Sequence, residues 1–332
     1  MGDINFKMLK PKTLNIGFLE THTKLENRHL TKILRVSKNI KLNSYTSDNI
    51  AENAEKIDLF LSFRFPDDFL KNARNLKWMH ALSAGVNTVI PKIKNTGILL
   101  TNSSGVHPIN IAEHVFGMLL MHARKLNQAL LFQKKREWKH FKNEEMHELY
   151  GKTMIIIGYG AIGERIGKIG KSFGLNIIGV KRTITRNKAK ARYADRIISS
   201  KELSEYLPLA DYVVIALPST PSTIKFFDKE YLSIMKENSV LVNIGRGDVI
   251  NEVELIKALK LKKIFAMLDV FEHEPLPKGS ELWSLDNVFI TAHYSGATPK
   301  YMDRAIEIFC DNLKAFLEGR KMPTLVDKEL GY

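Results

Sequence analysis

Short apolar runs separated by longer polar stretches recur along the chain, a pattern of strands alternating with helices around parallel sheets. In the first third, residues 14–19, 57–63, 76–82 and 98–101 read as strands, with helices over 24–37 and, opening at Pro66, over 66–72. Pro108 opens a predicted helix over 109–131, in which Ala112, Val115, Phe116, Leu119, Leu120 and Ala123 recur at helical spacing. A polar stretch, 133–148, follows it. From Thr153 the alternation is cleaner, with predicted strands at 154–157, 176–180, 212–217, 240–244, 265–268 and 288–291. These runs are almost wholly apolar, as central strands of a sheet covered on both faces are. A last helix over 300–318 has its most economical docking place on the first domain. The expected fold is therefore α/β, two Rossmann- or flavodoxin-like domains on parallel sheets. Residues 1–101 with 297–332 form a substrate domain, and a cofactor domain, 102–296, is inserted into it. The two connections, near 101–108 and 293–300, are expected to flank a cleft that closes on its ligands.

One loop changes this from a fold to a chemistry. The apolar run 154–157 leads into Gly158-Tyr159-Gly160-Ala161-Ile162-Gly163, and a helix-like stretch follows. The order strand, G-x-G-x-x-G, helix turns a weak motif into a useful one. The first glycine allows the tight turn, the second lets backbone N–H groups approach a pyrophosphate, and the third permits close helix–strand packing. The helix N-terminus then faces the phosphates with free N–H groups and partial positive charge. A site that prefers NAD over NADP is expected to carry a carboxylate about 20 positions on, holding the ribose 2′-OH. Eighteen positions past Gly163 stands Lys181, followed by Arg182 and Thr183, with Arg186 close. Cations there pair with a 2′-phosphate that a carboxylate would repel, so NADP(H) is the expected cofactor and NAD(H) the second choice.

Farther along, Arg246 lies just past one predicted strand, Glu274 in the loop after the next, and His293 just past the one after that. Ligands of an open parallel sheet bind outside the carboxyl ends of its strands, so these three residues converge on one edge. Around them the chain resembles the D-isomer-specific 2-hydroxyacid dehydrogenase family, which includes glyoxylate/hydroxypyruvate reductases and phosphoglycerate dehydrogenases. The resemblance covers LKWMHALSAGVNT at 76–88, TNSSGVHPINIAEHVFGMLLMHAR at 101–124, the glycine loop, 243–247, 269–277 and VDKELGY at 326–332. It implies that Arg246 binds the substrate carboxylate and carbonyl, that His293 is the acid/base, and that Glu274 pairs with His293. It further implies that the backbone amides of Ser83, Ala84, Gly85 and Val86 hold the carboxylate, that Leu217, Pro218, Ile244 and Asp269 lie beside the cofactor, and that the chain forms a homodimer with an arm near 130–150. Ala292 departs from the family, which commonly has proline before the histidine, and removes no chemical group; Lys181 is the other departure.

The implied activity is hydride transfer between NADP(H) and a small 2-keto acid or its D-2-hydroxy acid, with glyoxylate or hydroxypyruvate as substrates. Phosphoglycerate oxidation is the rival enzyme reading, and a non-catalytic dinucleotide sensor the rival from another class. A histidine gives and takes a proton near neutral pH, and a guanidinium grips a carboxylate bidentately. His107, His114 and His122 have no metal-ligand spacing and read as packing or solvated residues, so no metal is expected. Glu113 divides between site and hinge, and Arg64 between substrate mouth and surface. The net charge of +14 is spread along the chain without interleaved aromatics, which speaks against nucleic acid and is compatible with anionic substrates. A single cysteine, Cys310, the lack of an apolar run of about 20 residues, and an N-terminus without signal-peptide character lead to the expectation of a cytoplasmic enzyme that binds no membrane.

Overall fold

The computed structural model describes residues 13–21, 23–182, 192–329 and 331. Its strands are β1 (Leu14–Leu19), β2 (Ile40–Tyr45), β3 (Leu59–Ser62), β4 (Trp78–Ala81), β5 (Leu99–Asn102), β6 (Thr153–Ile157), β7 (Asn176–Lys181), β8 (Arg196–Ser199), β9 (Tyr212–Ile215), β10 (Val240–Asn243), β11 (Phe265–Leu268) and β12 (Val288–Ile290). Its helices are α1 (Asn27–Leu34), α2 (Asp67–Asn72), α3 (Ile90–Ile93), α4 (Pro108–Ala123), α5 (Leu126–Lys135), α6 (Ala161–Ser172), α7 (Leu203–Tyr206), α8 (Lys229–Ile234), α9 (Glu252–Lys260) and α10 (Tyr301–Glu318). They form two compact units, residues 1–106 with 298–332, and residues 107–297.

The first unit carries an all-parallel sheet in the order β2-β1-β3-β4-β5. One of its faces is closed by α10, whose Ile306, Phe309, Leu313 and Phe316 recur every three or four residues and are buried. Trp78 is the wedge of that contact: it is fully buried, with ring centroids 5.6 Å from Phe309 and 5.1 Å from Phe316, and its indole N–H donates to Thr101 Oγ1 at 2.8 Å. Burying a tryptophan of this size removes well over 100 Å² from water, on the order of several kcal/mol. The tryptophan is thus one reason that a helix from the far end of the chain stays here. Val106 is buried in the same core, so the chain leaves this unit five residues later than the boundary read at 101.

The second unit carries the larger sheet, β12-β11-β10-β9-β6-β7-β8, again parallel throughout. Strands β6, β9 and β10 are buried along nearly their whole length, as their apolar sequences require. Because every strand points the same way, the loops after β6, β7, β9, β10, β11 and β12 all emerge at one edge. The strand order reverses between β6 and β9, which is where a crevice opens in such sheets.

One helix and two strands differ from the sequence reading. The single helix over 109–131 is two helices, α4 and α5, because Lys125 between them takes a left-handed conformation at φ 54, ψ 30. The buried stripe ends there as well: α4 buries Ala112, Val115, Phe116 and Leu119, while α5 buries nothing. Two strands, β2 and β8, were not anticipated. Both are edge strands, and β2 buries only Ile40 of its six residues, so neither presents an apolar run.

Candidate active site

The loop after β6 is stitched to the neighbouring strand, since the N–H groups of Gly158 and Tyr159 both donate to Val180 O, at 3.2 and 3.0 Å. Gly158 has φ +96, and a Cβ there would stand 2.7 Å from Ala216 O, so no other residue fits. The Tyr159 side chain turns inward, with its hydroxyl donating to Arg192 O at 3.0 Å. Its phenol is pushed up by burial, with Glu164 and Asp195 adding to the effect. Only backbone is therefore left on the outside of the loop. Gly160 is exposed, and a Cβ there would meet nothing within 4 Å, which leaves an open approach to the first turn of α6. That turn holds Ala161, Ile162 and Gly163, whose N–H groups have no carbonyl of their own helix to bond. A pyrophosphate fits this cradle.

Lys181 ends β7, one residue beyond the carbonyl that anchors the glycine loop, and is partly exposed; Arg182 after it is exposed. Thr183 and Arg186 lie outside the described residues. After β9, Leu217 is partly buried and Pro218 exposed, while Ile244 after β10 is 5% exposed.

Arg246 sits three residues past the end of β10 in extended backbone. Asn243 shapes the turn from inside, its side chain donating to Arg246 O at 3.0 Å and accepting from Gly245 N at 3.1 Å. Gly247 holds the turn against the next loop, because a Cβ there would overlap the Phe271 carbonyl and Glu272 N. This contact draws the arginine loop onto the segment that carries Glu274. The Arg246 guanidinium is exposed, and one Nη1 donates to Gly245 O at 2.7 Å. A guanidinium has five N–H donors, so most of the fork faces outward for a ligand.

Glu274 and His293 meet directly, with Nδ1 2.6 Å from Oε2. The other carboxylate oxygen, Oε1, accepts from Phe271 N at 3.0 Å, which fixes the carboxylate plane. A carboxylate only accepts, so Nδ1 carries the proton of this contact and Nε2 is the nitrogen left for other work. Half of the imidazole surface is exposed, at 48%. Beside the pair opens a cavity of about 450 Å³ lined by Phe271, Pro275, Leu276, Trp283, Ile290 and Ala292.

Asp269 is placed differently from a ligand-facing residue: it is fully buried, and its carboxylate holds the turn that carries His293. Oδ1 accepts from Thr291 Oγ1 at 2.6 Å and from Tyr294 N at 3.1 Å, and Oδ2 accepts from Ser295 N at 3.1 Å. Its backbone carbonyl accepts from His293 N at 2.8 Å. Burial alone would raise this carboxyl, but the hydrogen bonds from Ser295 and Thr291 outweigh it and hold the group below the ordinary carboxylate range. His114, on α4, reaches the same hub with Nε2 3.2 Å from Thr291 Oγ1. From sequence His114 reads only as a packing or solvated residue, and Thr291 is not singled out. Their meeting joins residues 177 positions apart, and no spacing signals that.

In the first unit, the 83–86 loop turns its carbonyls inward. Ser103 N donates to Ser83 O at 3.1 Å, Asn102 Nδ2 to Ala84 O at 2.7 Å and Ser83 Oγ to Gly85 O at 2.8 Å, while the Val86 side chain is buried. Arg64 is exposed, and its N–H donates to Ser62 Oγ at 3.0 Å. Glu113 is also exposed. His107 Nδ1 lies 3.1 Å from Gly296 O, and His122 is packed against Phe265 and His147, where burial pushes it down to about 4. The Cys310 thiol is buried and pushed up to about 11 by that burial. Among the described residues no group of His, Cys, Asp and Glu is arranged to hold a metal ion, and no helix is long and apolar enough to cross a membrane.

The geometry agrees with what the chain is similar to. The model of the D-isomer specific 2-hydroxyacid dehydrogenase NAD binding domain matches residues 116–295. The chain is 35% identical to a glyoxylate reductase of Pyrococcus furiosus over 294 residues, covering 85% of this chain and 86% of that one. A solved D-isomer specific 2-hydroxyacid dehydrogenase family protein from Aeromonas salmonicida superposes with a TM-score of 0.80 at 28% identity, over 96% of this chain and 100% of the other. A probable 2-hydroxyacid dehydrogenase from Rhizobium etli, solved with NADP, HEPES and L(+)-tartaric acid, gives 0.77 at 25% identity, over 97% and 100%. The chain belongs to the D-isomer specific 2-hydroxyacid dehydrogenase family.

Proposed function

We propose that this enzyme reduces a small 2-keto acid of the glyoxylate or hydroxypyruvate type to the 2-hydroxy acid, with NADP(H) preferred over NAD(H). The observation that carries the reading is the 2.6 Å contact between Glu274 Oε2 and His293 Nδ1 at the edge where Arg246 emerges. A reduced nicotinamide, when bound, supplies the hydride to the keto carbon. The protein's share is the proton and the orientation. With Nδ1–H committed to Glu274, a protonated His293 delivers its Nε2 proton to the keto oxygen and returns to the neutral tautomer. The Arg246 fork holds the substrate carboxylate and stabilises charge growing on the oxygen. The amides of the 83–86 loop, whose carbonyls are taken up elsewhere, are assigned to the same carboxylate. Gly158, Gly160, Ala161, Ile162 and Gly163 would hold the pyrophosphate, with Leu217, Pro218 and Ile244 beside the rest of the cofactor.

The NADP(H) preference rests on Lys181 and Arg182, whose charge at the end of β7 suits a 2′-phosphate. It is supported by the NADP held by the Rhizobium etli protein. Glyoxylate comes first because it names the activity of the Pyrococcus furiosus relative. We also assign the chain to a homodimer, through the exposed apolar residues of 126–150, and to the cytoplasm, which a single cysteine suits. A panel of 2-keto acids assayed with NADPH and NADH, on wild type, Lys181→Asp and His293→Ala, tests the reading. Glyoxylate or hydroxypyruvate should be reduced fastest with NADPH, Lys181→Asp should move kcat/KM toward NADH, and His293→Ala should lose kcat by a hundredfold or more. Turnover of none of these acids, or near-normal kcat in His293→Ala, removes the assignment; a wild-type preference for NADH removes its cofactor half.

A further inference from the structure

His293 is held in a backbone conformation that its own side chain disfavours, with φ 53. For a residue with a Cβ the left-handed region costs about 1 kcal/mol, so something outside must fix it. Proline does not, since Ala292 precedes the histidine. The Asp269 carboxylate does, taking donors from residues 291, 294 and 295 on both sides of His293. We propose that His114 on α4 is a positioning residue for His293, acting through the Thr291 hydroxyl and the Asp269 carboxylate. This rests on His293 being the proton donor, as above.

The hydrogen-bond directions follow from what each group can do. Thr291 Oγ1 lies 2.6 Å from Asp269 Oδ1, and an ionised carboxylate only accepts, so the hydroxyl proton points at Asp269. The lone pairs of that hydroxyl are then open to the His114 Nε2–H, 3.2 Å away. His114 thereby leaves the threonine one rotamer in which its proton serves the carboxylate. The His114 ring also meets the Tyr294 ring edge to face at 5.5 Å, so it touches the turn on both sides of His293. A neutral imidazole suffices for this. Burial lowers the affinity of His114 for a second proton, an effect that the nearby Asp269 charge only partly offsets.

The test uses the full chain with saturating NADPH and the best keto acid of the panel, comparing His114→Leu, His114→Gln, Thr291→Val and, as control, His293→Ala. His114→Leu and Thr291→Val should lose kcat by about ten- to a hundredfold, the scale of a small misplacement of the reacting group. Their KM and NADPH affinity should stay within about twofold, and the solvent deuterium isotope effect on kcat should rise as proton delivery becomes slower. His114→Gln, whose amide N–H reaches the same hydroxyl, should recover most of the rate. A His114→Leu enzyme with near-wild-type kcat overturns the proposal, and so does a His114→Gln enzyme as slow as His114→Leu, which would reduce His114 to packing. If His114→Leu does not fold, Thr291→Val decides, and an unchanged kcat and isotope effect there overturns the proposal. Activity retained by His293→Ala instead overturns the assignment of the acid, and is read separately.

Discussion

Gly247 carries no functional group, yet it sets how close the arginine loop comes to the loop of Glu274, because backbone of Phe271 and Glu272 fills the space where a Cβ would be. Gly247→Ala should therefore lower stability by about 1–3 kcal/mol, as overpacking does, and cut kcat/KM by roughly a hundredfold through a displaced Arg246. Thermal melts and steady-state kinetics check both, and unchanged kcat/KM would mean that the loop yields without moving the guanidinium. A second residue, His80, predicts an acid weakness of the other unit. It is fully buried, with Nδ1 2.6 Å from Thr101 Oγ1 and Nε2 3.3 Å from Ser103 Oγ. The Trp78 indole also donates to Thr101 Oγ1, so a protonated ring, with a hydrogen on Nδ1, would compete with the indole for the lone pairs of one buried hydroxyl oxygen. Burial pushes His80 down to about 3 from 6.5. Between those values the unfolded chain binds the proton and the native one does not, so stability is complete above pH 6.5 and falls as pH drops. The full loss is on the order of 5 kcal/mol. Urea midpoints from pH 7 to 4 should show this slope in wild type and a flatter one in His80→Phe, whatever that variant's absolute stability; equal slopes would clear His80 of the effect. Arg246, Glu274 and His293 were legible because each follows an apolar run that ends abruptly. His80, His114 and Thr291 were not, because their partners are set by packing across the sheets.

At the scale of elements, apolar continuity made the buried strands visible: β11 falls where its run predicts, and β6, β9 and β10 lie within a few residues of it. Two of the four edge strands, β2 and β8, were invisible because an edge strand needs no apolar run to pair, whereas β5 and β12 carry one and were read. Ile40–Tyr45, for instance, pairs along its whole length with β1 while burying only the Ile40 side chain. The break between α4 and α5 was hidden for a different reason. Left-handed turns usually announce themselves with glycine, and here the residue is Lys125. The conformation predicts its own remedy. Lys125→Gly should relieve the left-handed strain and raise stability by about 1 kcal/mol, or a melting temperature higher by about 2 °C, with kcat unchanged. Calorimetry is the check. A lower melting temperature would show that the lysine side chain contributes more than its backbone costs.

For the whole molecule, the apolar surface left uncovered predicts its state of assembly. Scattered exposed leucines are ordinary on a globular protein, but a cluster on one element is not. Helix α5 buries no residue, and its Leu126, Leu130 and Leu131 are each more than half exposed. The four-residue spacing of Leu126 and Leu130 puts those two on one side of the helix, with Leu131 next along the chain. The same segment continues to Trp138, which is 92% exposed, and to Tyr150 at 78%. Lys134, Lys135, Arg136 and Lys139 lie between them, and those charges keep the stretch soluble without covering the leucines. A second copy of the chain covers such a surface most simply, because a twofold axis lets each arm meet its equivalent. Light scattering should then give twice the chain mass at micromolar concentration. The double variant Leu130→Glu with Leu131→Glu should run as a monomer with unaltered circular dichroism, since neither side chain supports its own fold. If the wild type is itself monomeric across that range, or if the double variant stays dimeric, the exposed face of α5 is not what joins two chains.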